Sequence, residues 1–171
     1  MGIRQLFREK PAAGTAVMVA LLALTAVILA HAYWPEKHAD LAQAFYTTDD
    51  GQHWFSDSEF RVAPFDHDGR PAVKALIYSY NDGRKQFCAC LQRFTPEGKD
   101  RLERALAEAK QRGQPPGSVT LFHEHDFVQR YLQVKQPGAG NEWISFGDPR
   151  ASEVLAVHSP DGSAVDQVLN Y

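Results

Sequence analysis

The sequence predicts an α+β protein in which an N-terminal transmembrane helix precedes one small extracytoplasmic domain, built from an antiparallel sheet and one packed helix. Three observations carry that expectation. Residues 12–30 hold no charged side chain. Downstream, turn-forming clusters recur at short intervals between runs of β-branched and aromatic residues, which is the pattern of hairpin-connected strands. One stretch, Thr95 to Gly113, combines a helix start, a single apolar stripe and a stop.

With 171 residues, 44% hydrophobic and 23% charged content and a formal net charge of −3, the chain has room for about one globular domain. That average covers two unlike parts. Arg4, Arg8 and Lys10 face only Glu9 in the first ten residues, whereas residues 33–171 carry 15 basic and 20 acidic side chains. A net-acidic bulk without a basic stripe argues against nucleic acid as a partner.

Residues 1–10 are expected to form a cytoplasmic basic tail and residues 11–34 the transmembrane helix. Val17, Leu21, Leu24 and Ile28 belong to a run that is apolar all round, unlike the one-sided stripe of a surface helix. From Ala12 to Ala32 the run has 21 residues, enough at about 1.5 Å per residue to cross the roughly 30 Å hydrocarbon core. The basic cluster at one end and Tyr33-Trp34 at the other orient the N-terminus toward the cytoplasm. The chain would cross the inner (cytoplasmic) membrane once, with the lipid bilayer as its first partner. Ala30-His31-Ala32 also fits a signal-peptidase site, but the run exceeds the about 7–15 residues of a signal peptide's apolar core. Its length therefore favours a retained anchor over cleavage after Ala32, and either outcome leaves the domain outside.

Residues 35–44 form a juxtamembrane segment and residues 45–171 the domain. Turn signals lie at Asp49-Asp50-Gly51, Asp66-His67-Asp68-Gly69, Asn81-Asp82-Gly83, Pro137-Gly138 and Pro160-Asp161-Gly162. Between them, strands are expected at Ala44–Thr48, His53–Ser56, Val73–Tyr80, Gln86–Phe94, Tyr131–Lys135 and Val154–His158. The strongest hairpin pairs Val73–Tyr80 with Lys85–Gln92 across Asp82-Gly83, setting Ile77 opposite Cys88 and Ala75 opposite Cys90. In the helix, Thr95 is the N-cap, Pro96 the first helical residue and Glu97 the first-turn acid. Leu102, Ala105, Leu106 and Ala109 form its apolar face, Arg112-Gly113 ends it, and it is expected to lie across the sheet.

Thr47-Thr48-Asp49-Asp50-Gly51-Gln52-His53-Trp54 fits the Asp-box pattern of sialidase-like propellers. Its chemistry is local and structural: Thr47 and Asp49 can bond turn amides, Gly51 can supply positive φ, and Trp54 can pack over the loop. The domain is too short for a propeller. Three blocks, Phe45 to Phe55, Pro64 to Val73 and Arg93 to Glu97, together with the basic N-terminus and single span, resemble a group of uncharacterised single-pass membrane-anchored proteins of planctomycete bacteria. The resemblance implies the anchored arrangement, but neither an activity nor site residues.

Candidate chemistry is sparse. Cys88 and Cys90, two apart in a strand, should share a face, as should His123 and His125 if that segment is extended. Two thiolates and two imidazoles are a sufficient tetrahedral zinc set, but the spacing is no standard zinc motif and buried core thiols are the expected reading of the cysteines. Asp66-His67-Asp68-Gly69 lacks the distal ligands of a calcium loop and reads as a surface turn. No nucleophile elbow, phosphate loop or dinucleotide fingerprint occurs. No catalytic residue and no cofactor is therefore assigned. The expected function is a non-catalytic binding or assembly domain whose partner is another envelope protein, with a zinc- or thiol-dependent envelope enzyme using Cys88, Cys90, His123 and His125 as the alternative. Phe45, Tyr46, Trp54, Phe55, Phe60 and Phe65 would form a contact patch if left exposed together, though most should be core.

Overall fold

The computed structural model describes residues 23–25 and 42–169. The chain divides into two units, Met1–Lys37 and His38–Tyr171. In the first, residues 23–25 are helical. The expected basic tail, the rest of the span and residues 35–41 lie outside the described residues. Among the described residues no helix is long and apolar enough to cross a membrane.

The second unit is α+β. Its strands are β1 (Gln43–Thr47), β2 (Phe55–Ser58), β3 (Phe65–His67), β4 (Arg70–Tyr80), β5 (Lys85–Phe94), β6 (Leu132–Lys135), β7 (Ile144–Ser145) and β8 (Asp166–Gln167). They run in the order β2-β1-β4-β5-β6-β7, and β3 and β8 also pair with β4. Every pairing is antiparallel. Turn chemistry sets the hairpins. Asp68 and Gly69 take φ of 53° and 76° between β3 and β4, and the Asp66 carboxylate accepts the Gly69 amide at 3.3 Å. Asn81, Asp82 and Gly83 take φ of 54°, 55° and 77° between β4 and β5. The strand expected at His53–Ser56 begins at Phe55 instead, because the turn motif extends through Trp54.

The β4–β5 register follows the expectation only in part. Ile77 faces Cys88, but the register then shifts, so that Leu76 faces Cys90 and Ala75 faces Leu91. Ala89 is the extra residue of a β-bulge, and one extra residue reverses the alternation of side chains beyond it. Two cores result. Ala75, Ile77 and Leu91 pack with Trp54, Cys88 and Trp143, while Cys90, Val134 and Ala151 pack with Leu76 and Ile144. The expected pairing of Ala75 with Cys90, and a common face for the two cysteines, are both corrected by this bulge.

Helix α1 (Pro96–Gln111) is built as its sequence signals: Thr95 Oγ1 accepts the Gly98 amide at 3.2 Å, and Gly113 follows the end with φ of 69°. Leu102 is fully buried, a contribution of roughly 2 kcal/mol over exposure. The helix does not lie across the sheet. It shares a core with Val62, Val119, Phe127 and Tyr131 and meets the strands at Phe94, the last residue of β5.

Two further helices were not expected from the sequence. Helix α2 (His125–Tyr131) follows short 3-10 turns at Pro116–Ser118 and Thr120–Phe122. It forms because Phe127 and Tyr131, one helical turn apart, both enter the α1 core. Gly98 permits the contact, since a Cβ there would collide with Tyr131 Cβ. The junction is sealed by the Thr95 amide donating to Tyr131 O at 2.9 Å and by Tyr131 OH donating to Glu97 Oε1 at 2.9 Å. Helix α3 (Ala151–Leu155) takes the first two residues of the strand expected at Val154–His158, and residues 156–158 join no strand. The Ala151 amide donates to Asp148 O at 2.8 Å, and Ala151, Val154 and Leu155 turn onto the Cys90 core.

Candidate functional site

The Thr47–Trp54 turn is a closed hydrogen-bond system. Thr47 Oγ1 donates to Asp49 Oδ1 at 2.9 Å and accepts the Gly51 amide at 3.0 Å. Asp49 Oδ1 accepts the His53 amide at 2.9 Å, and His53 Nδ1 lies 2.7 Å from Asp49 Oδ2. The His53 backbone amide, then its ring and the Thr47 hydroxyl, hold the Asp49 carboxyl down at about 2. Trp54 packs into the Ala75–Ile77–Leu91 core. The side chains of Thr47, Asp49 and His53 thus bond to one another and to the turn's own amides.

Asp50, inside the same turn, reaches a different partner. Its carboxylate pairs with Lys135 Nζ at 2.5 Å and accepts the Gly138 amide at 2.8 Å. The Lys135 side chain is only 7% exposed; its ammonium also donates to Gly140 O at 2.7 Å and lies 5.4 Å from the Trp143 ring centroid. Burial pushes the Asp50 carboxyl up, but Lys135 and the Gly138 amide outweigh it and hold the group below its ordinary range. This pair ties the β1–β2 turn to the end of β6.

The four residues of the candidate zinc set are not gathered. Cys88 and Cys90 point into different cores. Burial pushes the Cys88 thiol up to about 12 and the Cys90 thiol up to about 11, so neither supplies a thiolate near neutrality. His123 follows a 3-10 turn and His125 opens α2, both exposed, so the segment is not extended. Among the described residues no three His, Cys, Asp or Glu side chains cluster as a metal would require.

Nor is there an aromatic contact patch. Tyr46 is fully buried, with its hydroxyl donating to Ser58 O at 2.8 Å. Phe45, Trp54, Phe55, Phe60 and Phe65 are half-buried, and no aromatic side chain among the described residues is exposed.

The candidate site is instead a cleft of about 220 Å³ on the sheet face that carries Tyr46 and Leu76. One wall is the segment 59–63, held to β5 by the Phe94 amide donating to Ala63 O at 2.9 Å; the other is the region from Phe122 to Leu132. Phe60 and Phe122 meet edge to face with centroids 5.8 Å apart, and Phe94 and Leu132, paired across β5 and β6, also line the cleft. Lys74, which sits beside Tyr46 and Gln92 in the sheet, brings a charge into this apolar setting. Burial pushes its ammonium below the ordinary lysine range, against the opposing pull of Glu59. Other cations at the cleft are engaged. Arg61 pairs with Asp57 at 3.3 Å and covers the Phe65 ring, and Arg93 bonds Gln133 at 3.0 Å and lies 4.2 Å from the Trp143 centroid. Among the described residues Lys74 makes no ion pair within 4.0 Å, and Glu59 is the carboxylate that acts on it from further off.

Comparison with family models, with curated proteins and with solved structures found no match.

Proposed function

We propose that this chain is a membrane-anchored extracytoplasmic domain that binds a small ligand, or a side chain of another envelope protein, in the cleft beside Lys74, without catalysing a reaction. The observation that carries the binding half is a cleft lined by Phe60, Phe94 and Phe122 together with Lys74, a lysine without an ion pair among the described residues, since apolar walls with a few polar groups are the usual make-up of a ligand site. The membrane half rests on the uncharged run of residues 12–30 with Arg4, Arg8 and Lys10 before it, and on the resemblance to anchored planctomycete proteins. A zinc or thiol enzyme draws no comparable support, because its cysteines are protonated and divided between two cores.

The test uses the full chain in lipid nanodiscs. A set of small apolar compounds is screened by thermal shift against the wild type and Phe122→Trp, which narrows the cleft. A binding domain yields compounds that raise the wild-type Tm and leave the narrowed variant unmoved. Equal shifts in both proteins, or none in either, would refute the cleft. A phosphatase that folds only outside the cytoplasm, fused after Tyr171, is expected to be active, and inactivity there would refute the topology.

A further inference from the structure

We infer that the cleft recognises a small apolar monocarboxylate, with the ammonium of Lys74 receiving the carboxylate and the rings of Phe60, Phe94 and Phe122 receiving the apolar body. This deepens the binding reading above and rests on it.

Charge complementarity selects the ligand. The Lys74 side chain is half-buried and has no ion pair among the described residues, while its ammonium stays open to solvent at the cleft, so a carboxylate entering the cleft can supply a charge-assisted hydrogen bond. Of the arginines at the same cleft, Arg61 is paired with Asp57, and Arg93 is oriented by its bond to Gln133 and its place over the Trp143 ring. Glu59 sets the limit. It lines the cleft and acts on Lys74, so it helps keep the lysine charged while repelling a second negative charge on the ligand. A monoanion is therefore favoured over a dianion or a phosphate ester. The apolar body follows from the lining, where a flat or short-chain group can lie against ring faces.

The experiment titrates the full chain in nanodiscs, by calorimetry, with phenylacetate and with phenylacetamide, its neutral counterpart of nearly equal shape. Empty nanodiscs give the blank. Phenylacetate is expected to bind the wild type at least tenfold more tightly than phenylacetamide does. Lys74→Met, which keeps an unbranched apolar stem and removes the charge, is expected to lose that tenfold for phenylacetate while leaving phenylacetamide unchanged. Lys74→Arg should retain most of the preference, and Lys85→Met, at the far end of the β4–β5 hairpin, should retain all of it. If both compounds bind the wild type equally, or Lys74→Met binds phenylacetate as the wild type does, the carboxylate assignment fails while the cleft stands. If neither compound binds, the assignment and the binding reading fail together. The wild-type comparison of the two compounds needs no variant, so it decides the matter even if Lys74→Met does not fold.

Discussion

Gly51 rests directly on Cys88: a Cβ added at Gly51 would lie 2.8 Å from Cys88 Sγ and 2.9 Å from Cys88 Cβ. The tip of the β1–β2 turn is thereby seated on the bulged part of β5. Gly51 also has φ of +83°, so two independent reasons call for glycine. Gly51→Ala should cost about 2 kcal/mol, combining backbone strain with the collision. In a Cys88→Ala background the cost should fall in part, because the sulfur is gone while the approach to the residue 88 Cβ and the strained φ remain. Urea denaturation of the four proteins of that cycle measures the coupling, and additive costs would disprove the contact.

The thiols should be inert in the folded protein. Both are raised by burial, to about 12 and about 11, so a thiol reagent at neutral pH should titrate neither until denaturant is added, when both react. Cys90→Ala, at a position with no exposure, should cost about 1 kcal/mol, and Cys88→Ala somewhat less because it is only half-buried. Fast labelling of either thiol in the native state would contradict this placement.

Asp49 gives the fold an acid-sensitive latch. Its carboxyl is held at about 2 when folded, below its ordinary 3.8. A carboxylate with a depressed folded pKa contributes stability that is fully present above the unfolded value of about 4. That contribution is lost as pH falls from there through about 2. Denaturation midpoints taken from pH 5 to pH 2 should therefore drop more steeply in the wild type than in Asp49→Asn. Parallel pH profiles would show that Asp49 does not bond the turn as described.

Asp50 and Lys135 should respond unequally to mutation. The lysine side chain is 7% exposed and the aspartate 36%, so the partner left behind differs. Asp50→Ala strands a buried ammonium and should cost about 2 kcal/mol, less than a fully buried pair would because Asp50 is partly solvated. Lys135→Met leaves a carboxylate that water can reach and should cost under about 1 kcal/mol. Chemical denaturation of the two variants settles the order, and equal costs would mean that the burial asymmetry has no energetic weight.

What could be read from the sequence was local chemistry. Thr95-Pro96-Glu97 announces α1, and Asn81-Asp82-Gly83 announces the longest hairpin, because caps and positive-φ turns depend on adjacent residues. The bulge at Ala89 leaves no such mark; it is decided by which neighbours Cys88, Cys90 and Leu91 find across the sheet. Helix α2 did carry a signal, Asp126 in the first turn with Phe127 and Tyr131 one turn apart, but seven residues are too few for the period to stand out. Around α3 the β-branched Val154 and, beyond the helix, Val157 suggested a strand, whereas contacts to the Cys90 core favoured a helix over Ala151–Leu155. The cleft was illegible for a different reason. Phe60, Lys74, Phe94 and Phe122 are far apart in the chain and meet only in the fold, and nothing about a lysine in an alternating strand marks it as half-buried.

The strand order also bears on how copies of this domain behave when crowded. The path ends at β2, four residues long, and at β7, only two. A sheet invites edge-to-edge polymerisation in proportion to the unpaired backbone it displays, and short outer strands display little. Asp57 adds a charge on β2, where a second sheet would have to approach. If the chain is anchored as proposed, neighbouring domains concentrated in two dimensions would meet often and find no long ladder to extend, so the short outer strands themselves suppress strand addition.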